Sequence, residues 1–152
     1  MMYLLLAALV AWSIQRQMTV QAVGRLADDL RKPLIFAAIG IATFADWRPA
    51  DTAHWELLAG SLALSAAMGL ARGALMPMWR EADGGVRRKG NAVTLGLWGA
   101  MIAGKIALGV LVAQQPPHVG EVLCFLGVSI AVQLAVIAVR AGALRAPRPV
   151  AA

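Results

Sequence analysis

The stretch LWGAMIAGKIALGVLVA, residues 97–113, decides the fold class. It is apolar throughout except for Lys105 near its middle. A helix rises about 1.5 Å per residue, so a run of this length nearly crosses a hydrocarbon layer about 30 Å thick. Four further apolar runs flank it, and together they give candidate spans at residues 1–15, 33–47, 55–79, 92–113 and 119–144. The first two are short, reaching only about 21–23 Å by the same rise. Pro33 opens the second, where its missing N–H falls among donors that a first helical turn leaves unpaired anyway. The first run has no basic segment before it and more spans after it, so it reads as a retained span and not as a cleaved leader.

Composition points the same way. The 152 residues are 60% hydrophobic and only 14% charged, against about 25% charged in a soluble domain. There is too little polar surface to cover the outside. The net charge of +6 would suggest nucleic acid in a soluble protein, but no basic segment forms a foldable module, and nucleic acid is not an expected partner. Anionic lipid headgroups are. Cys124 is the one cysteine. Neither a disulfide within the chain nor a two-thiol relay is available, and the residue reads as a small hydrophobe.

Basic residues alternate loop by loop. Arg16, Arg25, Arg31 and Lys32 separate spans one and two, whereas only Arg48 separates two and three. Arg80, Arg87, Arg88 and Lys89 separate three and four, none separates four and five, and Arg145 and Arg148 follow the last. Cytoplasmic loops carry the excess, which puts the N-terminus outside and the C-terminus inside. Tyr3, Trp12, Trp47, Trp55 and Trp79 fall near the expected interfaces, and Trp98 lies deeper, between helices. MTVQAVGRLADDL, residues 18–30, reads as an amphipathic stretch on the membrane surface. MWREADGGVRRKGN, residues 78–91, carries the turn signal Asp83-Gly84-Gly85 and suits a short hairpin, with a disordered basic loop on anionic lipid as the alternative. The expected fold is all-α: one integral domain over residues 1–152, with five transmembrane helices and a cytoplasmic β-hairpin between helices three and four.

A few polar and small residues within the spans need a reason. Gly60, Ser61, Ser65, Gly69 and Gly73 form a small-residue face on span three, and Gly96, Ala100, Gly104 and Gly109 one on span four. Such faces let helix backbones approach in lipid, so spans three and four are expected to pack tightly on each other. Arg72 and Arg140 have stems long enough to reach cytoplasmic headgroups or lipid phosphate; a buried anion contact is the alternative. Lys105 is about 12 Å from the outer end of its helix, too deep for its stem alone. It calls for a carboxylate or a water-filled pocket, and Asp46, Glu56 and Glu121 are the acids on that side; Gln133 could join the same polar core. His54 with Glu56 and His118 with Glu121 offer a weak metal reading, without specific spacing. No cofactor motif and no catalytic set can be made out.

The run GSLALSAAMGLARG, then ADGGVRRKGN, then TLGLW resembles the CcdC-like family of bacterial multi-pass membrane proteins, over about residues 60–105. The features concerned fall on Gly69, Arg72, Gly73, Asp83, Gly84, Arg87 and Trp98. The resemblance implies a bacterial cytoplasmic-membrane protein of several helices with no established activity. The expected role is a non-enzymatic accessory or assembly component packing through its Gly faces, as a homodimer or within a membrane complex. The rival is a small transporter or channel-like protein whose polar core around Lys105 handles an anion or protons.

Overall fold

Apolar runs punctuated by Gly, Pro and charge become five helices among the described residues, which are 2–44, 52–108 and 119–146 of a computed structural model. They are α1 (Met2–Met18), α2 (Leu26–Phe44), α3 (Thr52–Leu75), α4 (Ala92–Leu108) and α5 (Val119–Arg145). Three short strands, β1 (Gln21–Ala22), β2 (Met78–Arg80) and β3 (Val86–Arg88), form an antiparallel sheet in the order β1-β3-β2. Two segments, Trp55–Leu75 and Gly120–Arg145, are long and apolar enough to cross a membrane, and Ala92–Leu108 is apolar but shorter.

The expected hairpin is present. Trp79 pairs with Arg87 and Arg80 with Val86. Gly84 takes φ +83° at the turn, a backbone conformation that disfavours a side chain. The Asp83 carboxylate accepts a hydrogen bond from the Gly85 N–H at 2.8 Å, closing an Asx turn. The third strand comes from the first interhelical segment, with Gln21 opposite Arg88. Residues 18–30 are therefore not one amphipathic surface stretch. They split into the end of α1, a strand, and the start of α2. Val23 is drawn under the sheet with Met76, Val86, Ile137 and Ala141.

Two helix boundaries also differ from expectation. Pro33 lies inside α2, not at its start. Asp28 and Asp29 sit in the first turn of that helix, where their charge suits the positive end of the dipole. The helix therefore begins at Leu26, seven residues before Pro33. At the other end of the range, α3 stops at Leu75, because Pro77 has no N–H to continue it and disfavours helical geometry at Met76. Residues 78 and 79, read as the end of span three, are strand. Asn91 and Thr94 start α4 with a capping box: the Thr94 N–H donates to Asn91 Oδ1 at 2.9 Å, and the Asn91 N–H to Thr94 Oγ1 at 3.4 Å.

α5 is the hub. It packs along both α2 and α3, and α3 in turn meets α4. Small residues make the approach. A Cβ added at Gly40 of α2 would lie 2.6 Å from the Cys124 backbone nitrogen, and one at Gly127 of α5 2.6 Å from the Pro33 carbonyl oxygen. Gly69 of α3 lies against the Ser129 carbonyl, and a Cβ at Gly73 would be 2.8 Å from Val136 Cβ. The glycine face of α3 thus meets α5, not α4 as expected. Gly104 touches α3 only in ordinary van der Waals contact with Leu64, and Gly60 and Gly96 face open space. Gly109 lies outside the described residues.

Gly69→Ala and Gly127→Ala should each lower stability by about 1–3 kcal/mol through overpacking against backbone. Gly60→Ala and Gly96→Ala should raise it by up to about 1 kcal/mol, since Ala is the better helix former and meets nothing. Unfolding in mild detergent reads both.

Candidate functional site

Four helices meet at Arg72. It sits near the end of α3 with no exposed surface, so it neither lifts to a headgroup nor touches lipid phosphate as expected. Its guanidinium carbon lies over the Trp98 ring of α4, 3.9 Å from the centroid, and the group donates through Nη2 to Ser129 Oγ of α5. Ser129 Oγ donates in turn to Met101 Sδ at 3.6 Å. Trp98 is itself buried, and its indole Nε1–H donates to Gln17 Oε1 of α1 at 3.1 Å. The same oxygen accepts from Gln133 Nε2 at 3.1 Å. Gln133 therefore belongs to the Arg72 cluster and not to a core around Lys105.

This cluster is incompletely paired. Arg72 Nε and Nη1, Gln133 Oε1 and Ser65 Oγ are buried without a hydrogen-bond partner. A desolvated cation on an aromatic face gains about 2 kcal/mol, less than the several kcal/mol that burying an uncompensated charge costs. The unmet N–H groups suit an anion or an ordered water. Why the cation is inside at all follows from register: Arg72 is seven residues after Ser65 and three after Gly69, on the face that α3 turns to α5.

Arg140 also turns inward. Its Nη1 donates to the carbonyl oxygens of Gly73 at 2.5 Å and Met76 at 2.9 Å, tying down the C-terminal end of α3, where a cation also suits the dipole.

Lys105 lies at the opposite end of the bundle. Its Nζ is 2.6 Å from Glu121 Oε1 and 3.4 Å from the centroid of the Phe125 ring. Both side chains are mostly buried, at 15% and 20% exposure. Of the three candidate acids, the structure brings Glu121 to Lys105 and leaves Glu56 exposed. Asp46, His118 and the side chain of His54 lie outside the described residues. Among the described residues, no three His, Cys, Asp or Glu side chains come together.

A cavity of about 600 Å³ adjoins the Arg72 cluster at the sheet end, reached through Gln17 and Gln133. Arg16 of α1, Asp28, Asp29 and Lys32 of α2 and Arg88 of β3 line it. Burial pushes the Arg88 guanidinium below its ordinary value; nearby Asp29 opposes that and Arg16 adds to it. Reading the sequence by spans missed this cavity, because its lining comes from α1, α2, α5 and β3, segments far apart in the chain. Gln17 carried the one local signal, an amide at the end of an apolar run.

Trp98→Leu should remove both the face under Arg72 and the donor to Gln17, lowering stability by about 3–5 kcal/mol. Trp98→Phe keeps the face, loses one hydrogen bond, and should cost about 1 kcal/mol in the same detergent unfolding measurement. Comparison of the chain with protein-family models, curated proteins and solved structures found no match, so the CcdC-like resemblance rests on residues 60–105 alone.

Proposed function

We propose that this chain is a five-helix integral protein of a bacterial cytoplasmic membrane and acts there as a non-enzymatic accessory or assembly component. One observation carries the membrane reading. Every helix turns large apolar side chains outward: Leu4 is 74% exposed, Ile41 62%, Trp55 57%, Ile106 59% and Val139 76%. In water such a surface on all sides would drive aggregation. In lipid it is the solvated surface. The N-outside orientation draws support from the sheet end, where β1 and β3 pair and Arg145 of α5 donates to the Val23 carbonyl at 2.8 Å. Two basic loops and the C-terminal end of α5 thus share one side, as a cytoplasmic face requires.

The accessory role draws support from Gly60 of α3 and Gly96 and Gly99 of α4, which leave open space where another helix backbone can approach, in a second copy or in a membrane partner. A reporter fused after Ala152 should lie in the cytoplasm; a periplasmic signal overturns the orientation. Gly96→Leu with Gly99→Leu should leave the protein's own stability intact while abolishing dimer formation or partner co-purification. Unchanged association overturns the accessory role.

A second reading, a small anion transporter, is favoured by Arg72. Lys105 is committed to Glu121, whereas Arg72 keeps Nε and Nη1 without acceptors. On this reading Arg72→Met abolishes chloride or phosphate flux into proteoliposomes while Lys105→Met does not. Equal flux in wild type and Arg72→Met removes it.

A further inference from the structure

The cavity at the sheet end has two chemically different halves. Trp12, Pro33, Phe36, Ile130 and Leu134 give it an apolar wall. Arg16, Lys32, Arg88, Asp28 and Asp29 give it charge of both signs. Its volume of about 600 Å³ falls within the roughly 300–1,000 Å³ of small-molecule sites. Among the described residues, none of these five charged side chains forms an ion pair within 4 Å; those that pair are Arg87 with Glu81 and Lys105 with Glu121. Arg88 donates to Gln21 Oε1 at 3.1 Å, and the Arg16 guanidinium lies over the Trp12 ring. Three cations and two carboxylates thus line one cavity without closing on one another.

The lining also holds an unmet acceptor. Gln133 is 2% exposed, its Nε2 is committed to Gln17, and its Oε1 has no donor. A buried amide oxygen left in that state favours any N–H or O–H that enters. α1, which bounds the cavity on one side, does not run in close backbone contact with another helix. Side chains hold it: Leu9, Val10 and Ile14 against the Trp98, Met101 and Leu126 cluster, and Gln17. The wall beside the cavity is thus the least tightly packed in the bundle.

We infer that this cleft binds a phospholipid of the phosphatidylethanolamine class, with its phosphate on Arg16, Lys32 and Arg88, its ammonium on Asp28 and Asp29, and an acyl chain along Trp12, Phe36, Ile130 and Leu134. The inference rests on the membrane reading above for access to lipid. Phosphate and cation make charge-assisted hydrogen bonds, as do carboxylate and primary ammonium. A quaternary choline offers the carboxylates no N–H donor and is better suited to an aromatic cage. A purely anionic headgroup would meet Asp28 and Asp29 with like charge. The mixed rim selects the zwitterion that carries N–H groups.

Native mass spectrometry of the full chain in mild detergent, titrated with palmitoyl-oleoyl phosphatidylethanolamine, phosphatidylcholine and phosphatidylglycerol, tests the assignment. The ethanolamine lipid should bind about tenfold or more tightly than either rival. Arg16→Gln with Lys32→Gln should weaken it by about tenfold or more. Asp28→Asn with Asp29→Asn should erase its preference over phosphatidylglycerol. Arg16, Lys32 and Asp28 are exposed, and unfolding curves of each variant show that the fold persists. On the unmutated background, phosphatidylethanolamine brominated on its acyl chain should quench tryptophan fluorescence, and Trp12→Phe should remove part of that quenching. Equal affinity for the three lipids, indifference to both double variants, or quenching unchanged in Trp12→Phe overturns the site. Binding of acyl-free glycerophosphoethanolamine as strong as that of the lipid also overturns it, in favour of a soluble headgroup compound. Failure of the membrane reading is distinguishable, since the chain would then stay monodisperse without detergent.

Discussion

Backbone contact along α5 is the constraint on which the rest of the molecule depends. On the membrane reading proposed above, burying apolar surface between helices gains little, and close dispersion contacts must supply the attraction. Such contacts fall away within a fraction of an ångström, so they require positions without bulk. The two sides of α5 meet that demand in the same way. Pro33, Ala37 and Gly40 on α2 oppose Gly127, Cys124 and Gly120 on α5, running antiparallel. Gly69 and Gly73 on α3 oppose Ser129, Gln133 and Val136. Because these contacts involve backbone atoms, they fix the rotation of all three helices. Rotation in turn decides which side chains are inside. Arg72 is inside because Gly69 and Gly73 are, and it takes Trp98 and Ser129 with it.

That chain of consequence explains what the sequence could and could not disclose. Five helices with a hairpin between the third and fourth were legible, since apolar length and the Asp-Gly-Gly turn are local signals. The need of Lys105 for a polar partner was legible too, with Glu121 among the acids that could supply it. Rotation was not. Gly60, Gly69 and Gly73 look like one face when counted along α3, yet Gly60 faces open space while Gly69 and Gly73 meet α5. The choice of α4 as their partner followed sequence adjacency, and the better partner was α5. The spacing that would have shown it, residues 33, 37 and 40 against 120, 124 and 127, lies in two segments far apart in the chain.

The arginines show a second limit of reading by length. A long stem near a helix end can always reach a headgroup, so Arg72 and Arg140 read as lipid-facing. The structure offers them nearer acceptors. Carbonyl groups at the C-terminal end of α3 have no helical partner, and in a low-dielectric surrounding each is costly to leave unmet. Arg140 satisfies two of them, and Arg145 satisfies the Val23 carbonyl beside the sheet. Positive charge at this end is therefore a set of stitches between helix ends.

The sheet completes that logic. Strands of two and three residues could not stand alone. Here β3 is held on both sides, by β2 through the hairpin and by β1 from the first interhelical segment, over the small core of Val23, Met76, Val86, Ile137 and Ala141. Pairing β1 with β3 pins the start of α2 beside the end of α1 without making the two helices pack. A gap remains between them, walled by Trp12 and Phe36 and rimmed by the charges of both loops. Had α1 been recruited to α5 by glycines, as α2 and α3 were, that gap would have closed. The same economy of small residues that builds the tight side of the bundle leaves its other side open to a ligand.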